Sequence, residues 1–201
     1  MSNDLLVEKN NGILKLIMNR PERRNALSDV MLNNMLDELN KASFDNSIRV
    51  IVLTGAGNAF CAGGDVKDMA ENKDSGDKTT QQKTSDLRRV METARLLHEI
   101  TTPTIAVIPG PAAGAGFSLA MACDMRIACE SSKFTTAFAK VGFPGDFGGS
   151  YFLTQMIGTA KARELYYLAE LMTAQKAYEI GIINKDGRSG RLEHPIFVFV
   201  Q

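Results

Sequence analysis

The sequence predicts an α/β fold in which an N-terminal hairpin leads into parallel strand pairs. Three observations carry this expectation. The runs "IRVIVLTG" (48–55) and "TPTIAVI" (102–108) are apolar and rich in β-branched residues, as in strands covered on both faces. Segments of helical period alternate with them, through Leu32, Met35, Leu36 and Leu39, then Leu87, Val90, Met91, Ala94 and Leu97. The stretch "LLVEKNNGILKLIMN" (5–19) holds two apolar runs around Asn11-Gly12, the strongest two-residue hairpin signal.

The remaining elements follow in order. Beyond Pro21, Ser28 is placed to cap the first helix. Residues 71–84, "ENKDSGDKTTQQKT", are polar and aperiodic and read as a mobile surface loop. His98 continues the second helix and reads as a surface or core-edge residue. "MRIAC" (125–129) is a third strand, "KFTTAF" (133–138) a fourth, and helices are expected near Ala160–Ala169 and Thr173–Ile180. Alternating strands and helices give the parallel α/β class, with no internal repeat. The core domain is set at 1–185. The end, 186–201, turns polar and then apolar without helical period, and reads as a divergent tail.

Composition narrows the function classes. With 201 residues, 44% of them hydrophobic, the chain can bury one substantial core. Its 23 basic and 23 acidic side chains balance, so no global field favours nucleic acid or an anionic membrane. Three cysteines (Cys61, Cys123, Cys129) without C-x-x-C spacing, and only two histidines, argue against a disulfide framework, a metal site or a histidine triad. No targeting segment and no bilayer-length apolar run is visible, so the expectation is a soluble, cytoplasmic protein.

Two tracts concentrate small residues after strands: "FCAGGDVKDM" (60–69) and "PGPAAGAGFSLAMACD" (109–124). Neither contains G-x-x-x-x-G-K-[ST], and in "GAGFSL" Leu119 stands where a dinucleotide fingerprint needs its third glycine. Small residues also let a ligand approach main-chain N–H groups, and a helix opening inside such a turn, here over Phe117–Ala122, aims unpaired amides at it. Two such turns can supply one amide each to a single oxyanion. From spacing alone, simple close packing of helix on strand stands ahead of that use.

Four ordered segments carry a resemblance. "NRPERRNAL" (19–27), "IVLTGAGNAFCAGGDVKDM" (51–69), "TTPTIAVIPGPAAGAGFSLAMACDMRIA" (101–128) and "KFTTAFAKVGFPGDFGGSYFLTQMIGTAKARELYYL" (133–168) are similar, in order and spacing, to the crotonase (enoyl-CoA hydratase/isomerase) superfamily over about residues 5–184. The resemblance implies a crotonase-like ββα spiral fold with the C-terminal helical region truncated. It also implies acyl-coenzyme A thioesters as substrates in fatty acid metabolism, and no cofactor beyond the coenzyme A that the substrate carries. The family's assembly would be a homotrimer or a dimer of trimers, weakened here by the missing C-terminal helices.

By the same resemblance, the main-chain amides of Gly64 and Ala115 form an oxyanion hole. The two glutamates with which family hydratases activate water fall at Ser118 and Phe138, so neither is present. Asp146 matches the single acid of the double-bond isomerases and is the expected proton shuttle. Dehalogenases share that aspartate, but their tryptophan and histidine fall at Phe138 and Met91. Phe117, Phe138, Phe143 and Phe147 are expected to line the acyl pocket and raise the pKa of Asp146. For Asp146, capping of the helix that begins near Gly149 is the competing structural use. Arg24 and Lys67, assisted by Arg23, match positions that are basic near the nucleotide, with the adenine against Ala62–Asp65. Asp65 would also fix the turn that aims the Gly64 amide, and Cys61 reads as a packed hydrophobe. The expected activity is isomerisation of an enoyl-CoA double bond. The alternatives are a hydratase with an unusual acid and a catalytically silent acyl-CoA-binding or assembly subunit.

Overall fold

The computed structural model describes residues 3–65 and 79–187. Strands β1 (Leu5–Asn10) and β2 (Ile13–Met18) form the antiparallel hairpin, and Asn11 and Gly12 take the left-handed φ values, 49° and 81°, that its two-residue turn demands. Helix α1 (Asp29–Ala42) follows, with Ser28 Oγ accepting the Met31 N–H as its cap. Then come β3 (Val50–Gly55), α2 (Thr80–Glu99), β4 (Thr104–Ile108), β5 (Ala112–Ala113), α3 (Gly114–Ala122), β6 (Met125–Cys129) and β7 (Lys133–Thr135). A 3₁₀ turn (Phe138–Val141), α4 (Gly149–Leu168), β8 (Met172–Thr173), α5 (Ala174–Glu179) and β9 (Lys185–Gly187) complete the described chain.

The main sheet has the order β1-β2-β3-β4-β6-β9, and every pair after the hairpin is parallel. Both faces of its centre are buried, which explains the unbroken apolar runs of β3 and β4. Leu14, Leu16, Ile51, Leu53, Ala106 and Ile108 face the helices, while Val50, Val52, Ile105, Val107 and Ile127 form a second cluster. A small sheet, β5-β7-β8, stands apart, so "KFTTAF" contributes its strand there and not to the main sheet.

Four expectations are corrected. Residues 80–84 belong to α2 and not to a loop: Thr79 and Gln82 form a capping box that starts the helix, a local signal that outweighs the polar composition. Residues 71–78 of that predicted loop lie outside the described residues. The helix expected near Ala160–Ala169 begins at Gly149 and runs to Leu168, interrupted at Gly158, whose φ 77° and ψ 161° are not helical. The third helix opens at Gly114, three residues before Phe117. At the end, β9 pairs with β6 and carries residues 186 and 187 of the predicted tail into the main sheet.

Candidate active site

The two glycine- and alanine-rich tracts meet in space. Cys61 and Ala112 form a parallel bridge, in which Ala113 N–H donates to the Cys61 carbonyl at 2.9 Å. Leu27 and Gly64 form a second bridge on the other edge, and Leu27 N–H donates to the Gly63 carbonyl at 2.9 Å. A trans peptide holds its C=O and the next N–H antiparallel, and no peptide here is cis. The Gly64 N–H therefore points away from Leu27, to the edge where Ala113–Ala115 pass. Gly63 must be glycine for this: its φ is 92°, and a Cβ there would lie 2.9 Å from the Ala113 oxygen and 3.4 Å from the Ala115 nitrogen. On the other strand, Ala115 is the second residue of α3. Its N–H has no intrahelical acceptor, and no side chain caps that helix end. Gly64 and Ala115 together line two adjoining cavities of about 330 and 430 Å³.

Asp146 lines both cavities as well. The capping use is not realised: Gly148 occupies the cap position of α4 and no side chain bonds there. Its own carbonyl, not its carboxylate, accepts the Gly149 N–H, and Oδ1 is buried with no hydrogen-bond partner among the described residues. Burial pushes its pKa from 3.8 up to about 6.

The four phenylalanines separate. Phe138 and the half-exposed Phe143 line the smaller cavity, and Phe147 the larger. Phe117 lines neither. It is 1% exposed in the main core against Phe134, with centroids 5.4 Å apart, because it projects from the buried side of α3. The larger cavity is walled by Leu27, by Leu32 of α1 and by Leu87 and Val90 of α2. Sequence reading placed Leu32, Leu87 and Val90 only in helical core stripes and did not mark them as cavity residues.

Of the predicted coenzyme A residues, Ala62 is exposed at the rim of the smaller cavity and Arg24 is exposed. Arg23 donates to Asp65 Oδ2 at 2.8 Å, and Arg20 donates to the same oxygen at 3.0 Å. Asp65 is buried, so two guanidiniums hold the carboxylate that ends the Gly63–Gly64 turn. Arg20 and the fully buried Asn25 went unrecognised in "NRPERRNAL". Asn25 accepts the Arg20 N–H and donates to the Ala56 and Ala59 carbonyls, fixing the loop after β3. Lys67 lies outside the described residues. Cys61 is a buried thiol pushed up to about 12, with Sγ accepting the Gly63 N–H, so it packs and does not react. Ser118 is buried and donates to the Gly114 carbonyl at 3.3 Å.

The family model for enoyl-CoA hydratase/isomerase matches residues 8–192. The chain belongs to this family. Among curated proteins it is 38% identical over 177 residues to 1,2-epoxyphenylacetyl-CoA isomerase of Escherichia coli (strain K12), covering 88% of this chain and 66% of that protein. It is 36% identical over 180 residues to YngF of Bacillus subtilis (strain 168), covering 89% and 67%. The chain thus spans about two thirds of the length of these enoyl-CoA hydratase/isomerase relatives. Among solved structures, an enoyl-CoA hydratase from Polaromonas sp. JS666 superposes with a TM-score of 0.83 at 32% identity, over 90% of this chain and 70% of that one. Among the described residues, no helix is long and apolar enough to cross a membrane, and no cluster of His, Cys, Asp or Glu could hold a metal ion.

Proposed function

We propose that this enoyl-CoA hydratase/isomerase family member is an acyl-CoA isomerase that moves a carbon–carbon double bond by 1,3-proton transfer. One observation carries the reading: a single carboxylate, Asp146, with its pKa pushed up to about 6, shares its cavities with Gly64 and Ala115, while Ser118 and Phe138 stand where paired glutamates would hold water. The Asp146 carboxylate takes the proton from the carbon next to the thioester, breaking C–H and forming O–H. The electron pair moves onto the thioester oxygen, where the two amides receive it. One such preorganised donor is worth about 2.7–4 kcal/mol of barrier. Asp146 then returns the proton to the carbon two bonds away, the double bond reforms in conjugation, and no water is consumed.

Coenzyme A enters as part of the substrate, and the reading needs no further cofactor. Arg24 is exposed, and its carbonyl accepts the Ala62 N–H at 3.0 Å beside the small residues that rim the smaller cavity, where the nucleotide would rest. Assembly into trimers and a cytoplasmic location belong to the same proposal. A hydratase is the second reading, favoured by the superposition on the Polaromonas hydratase. The deciding experiment is incubation with a 3-enoyl-CoA and, separately, a 2-enoyl-CoA, followed by ultraviolet absorbance. The isomerase creates conjugated 2-enoyl absorbance from the first. A hydratase instead bleaches the second by adding water, and that outcome would replace the proposal.

A further inference from the structure

Along helix α4, Gly149 and Tyr166 would lie about 25 Å apart if the helix were straight. It is not straight. The break at Gly158 folds the chain back, and Tyr166 returns to the start of its own helix. A Cβ on Gly149 would fall 2.6 Å from Tyr166 Oη and 2.3 Å from Ser118 Oγ, and one on Gly145 would fall 2.9 Å from Tyr166 Cε1. The phenol thus lies against the two glycines that flank Asp146. Its ring is stacked on Phe138, with centroids 6.1 Å apart and planes 10° apart, and Thr136 Oγ1 anchors that segment by donating to the Leu165 carbonyl.

Among the described residues, Asp146 Oδ1 and Tyr166 Oη are both buried without a hydrogen-bond partner. One is an acceptor and the other carries a donor hydrogen, and they sit around the same loop. We propose that Tyr166 is a positioning residue for Asp146, its O–H donating to the carboxylate while Asp146 is charged and turning to Ser118 Oγ while Asp146 holds the substrate's proton. The Tyr166 proton stays on Tyr166 throughout. Burial, and then the Asp146 charge, push the phenol up to about 12, with Ser118 opposing, so it remains a donor across the working pH range. The charged groups facing the cavity beyond Asp146 are Asp29 of α1 and Lys83, Asp86 and Arg89 of α2. They give mixed signs and no hydrogen bond to Oδ1. The inference rests on the reading of Asp146 as the proton shuttle.

Tyr166→Phe tests it, because the ring and its stack on Phe138 are kept while the donor is lost. The readout is the carboxyl infrared band of Asp146, isolated by subtracting the spectrum of Asp146→Asn and titrated against pH in the full chain. Loss of a donor to the charged form makes Asp146 about tenfold weaker as an acid, and the acid limb of kcat/KM moves up by the same interval. Gly149→Ala, whose methyl would displace the phenol, shifts the band in the same direction and serves should Tyr166→Phe not fold. An unmoved Asp146 titration in a folded variant overturns the role of Tyr166. The infrared titration needs no turnover, so a protein inactive on every enoyl-CoA would defeat the isomerase reading without deciding this one.

Discussion

Leu27 N–H donates to the Gly63 carbonyl at 2.9 Å, and this one bond sends the Gly64 N–H to the opposite edge, toward Ala115. Helix α1 begins two residues after Leu27, so the start of that helix and one half of the proposed oxyanion hole are set by the same contact. Gly63 completes the device with its φ of 92° and its missing Cβ. Gly63→Ala is expected to lower kcat by about 10²–10³, since the amide no longer aims at the developing charge. Stopped-flow kinetics beside an acyl-CoA binding measurement check this. Undiminished kcat in the variant would take the Gly64 amide out of the mechanism.

Asp146→Asn keeps the shape of the cavity and removes the base. Isomerisation of a 3-enoyl-CoA should fall to background while acyl-CoA binding stays measurable by calorimetry. Turnover at the wild-type rate would show that another group moves the proton.

The pKa of Asp146 also makes a stability prediction, and its sign is opposite to that of an ion-paired aspartate. The folded protein holds this proton more tightly than the unfolded chain, with a pKa of about 6 against 3.8. Stability therefore falls as pH rises between those values, with the cost absent below about pH 4 and complete above about pH 6. Discounted for partial exposure, that cost is about 1–2 kcal/mol. Asp146→Asn should thus raise Tm at pH 7.5, and the gain should vanish as pH drops toward 4. In the wild type, kcat/KM should fall below about pH 6, where the base becomes protonated. A Tm difference independent of pH would contradict the buried, shifted carboxyl.

Asp65 has two arginines of unequal weight. Arg20 is nearly buried, its side chain 11% exposed, whereas that of Arg23 is 42% exposed. Asp65→Ala should cost about 3 kcal/mol, because the nearly buried Arg20 loses its 3.0 Å carboxylate partner and keeps the Asp4 carboxylate at 3.8 Å from Nε. Arg23→Ala should cost about 0–1 kcal/mol, as for an exposed pair. Urea unfolding of both variants measures the difference, and equal losses would mean that Arg20 does not bear the load at this turn.

Much of the fold was legible in the residues because its cues are local. A hairpin turn at Asn11-Gly12, a serine cap at Ser28 and continuous apolar strands each announce themselves within a few positions. The ordered motifs also pointed to Gly64, Ala115 and Asp146, and the structure brings all three to the same cavities. Local cues failed where composition and structure part. The polar residues 80–84 concealed a helix start, and Phe117 shares the composition of a pocket residue yet packs in the core.

What the sequence determined alone is the class of fold and most of its helices and strands, which follow from period and turn chemistry, while the groups able to do chemistry were pointed to by the resemblance of its ordered motifs. Only tertiary structure decided that Arg20 and Arg23 share Asp65, that aliphatic residues of α1 and α2 wall a cavity, and that Tyr166 returns to Gly145 and Gly149, on either side of Asp146, across the break at Gly158. Those partners are far apart along the chain, and no local rule links them. Their meeting depends on the angles at which whole elements pack, which the burial of the shared core sets.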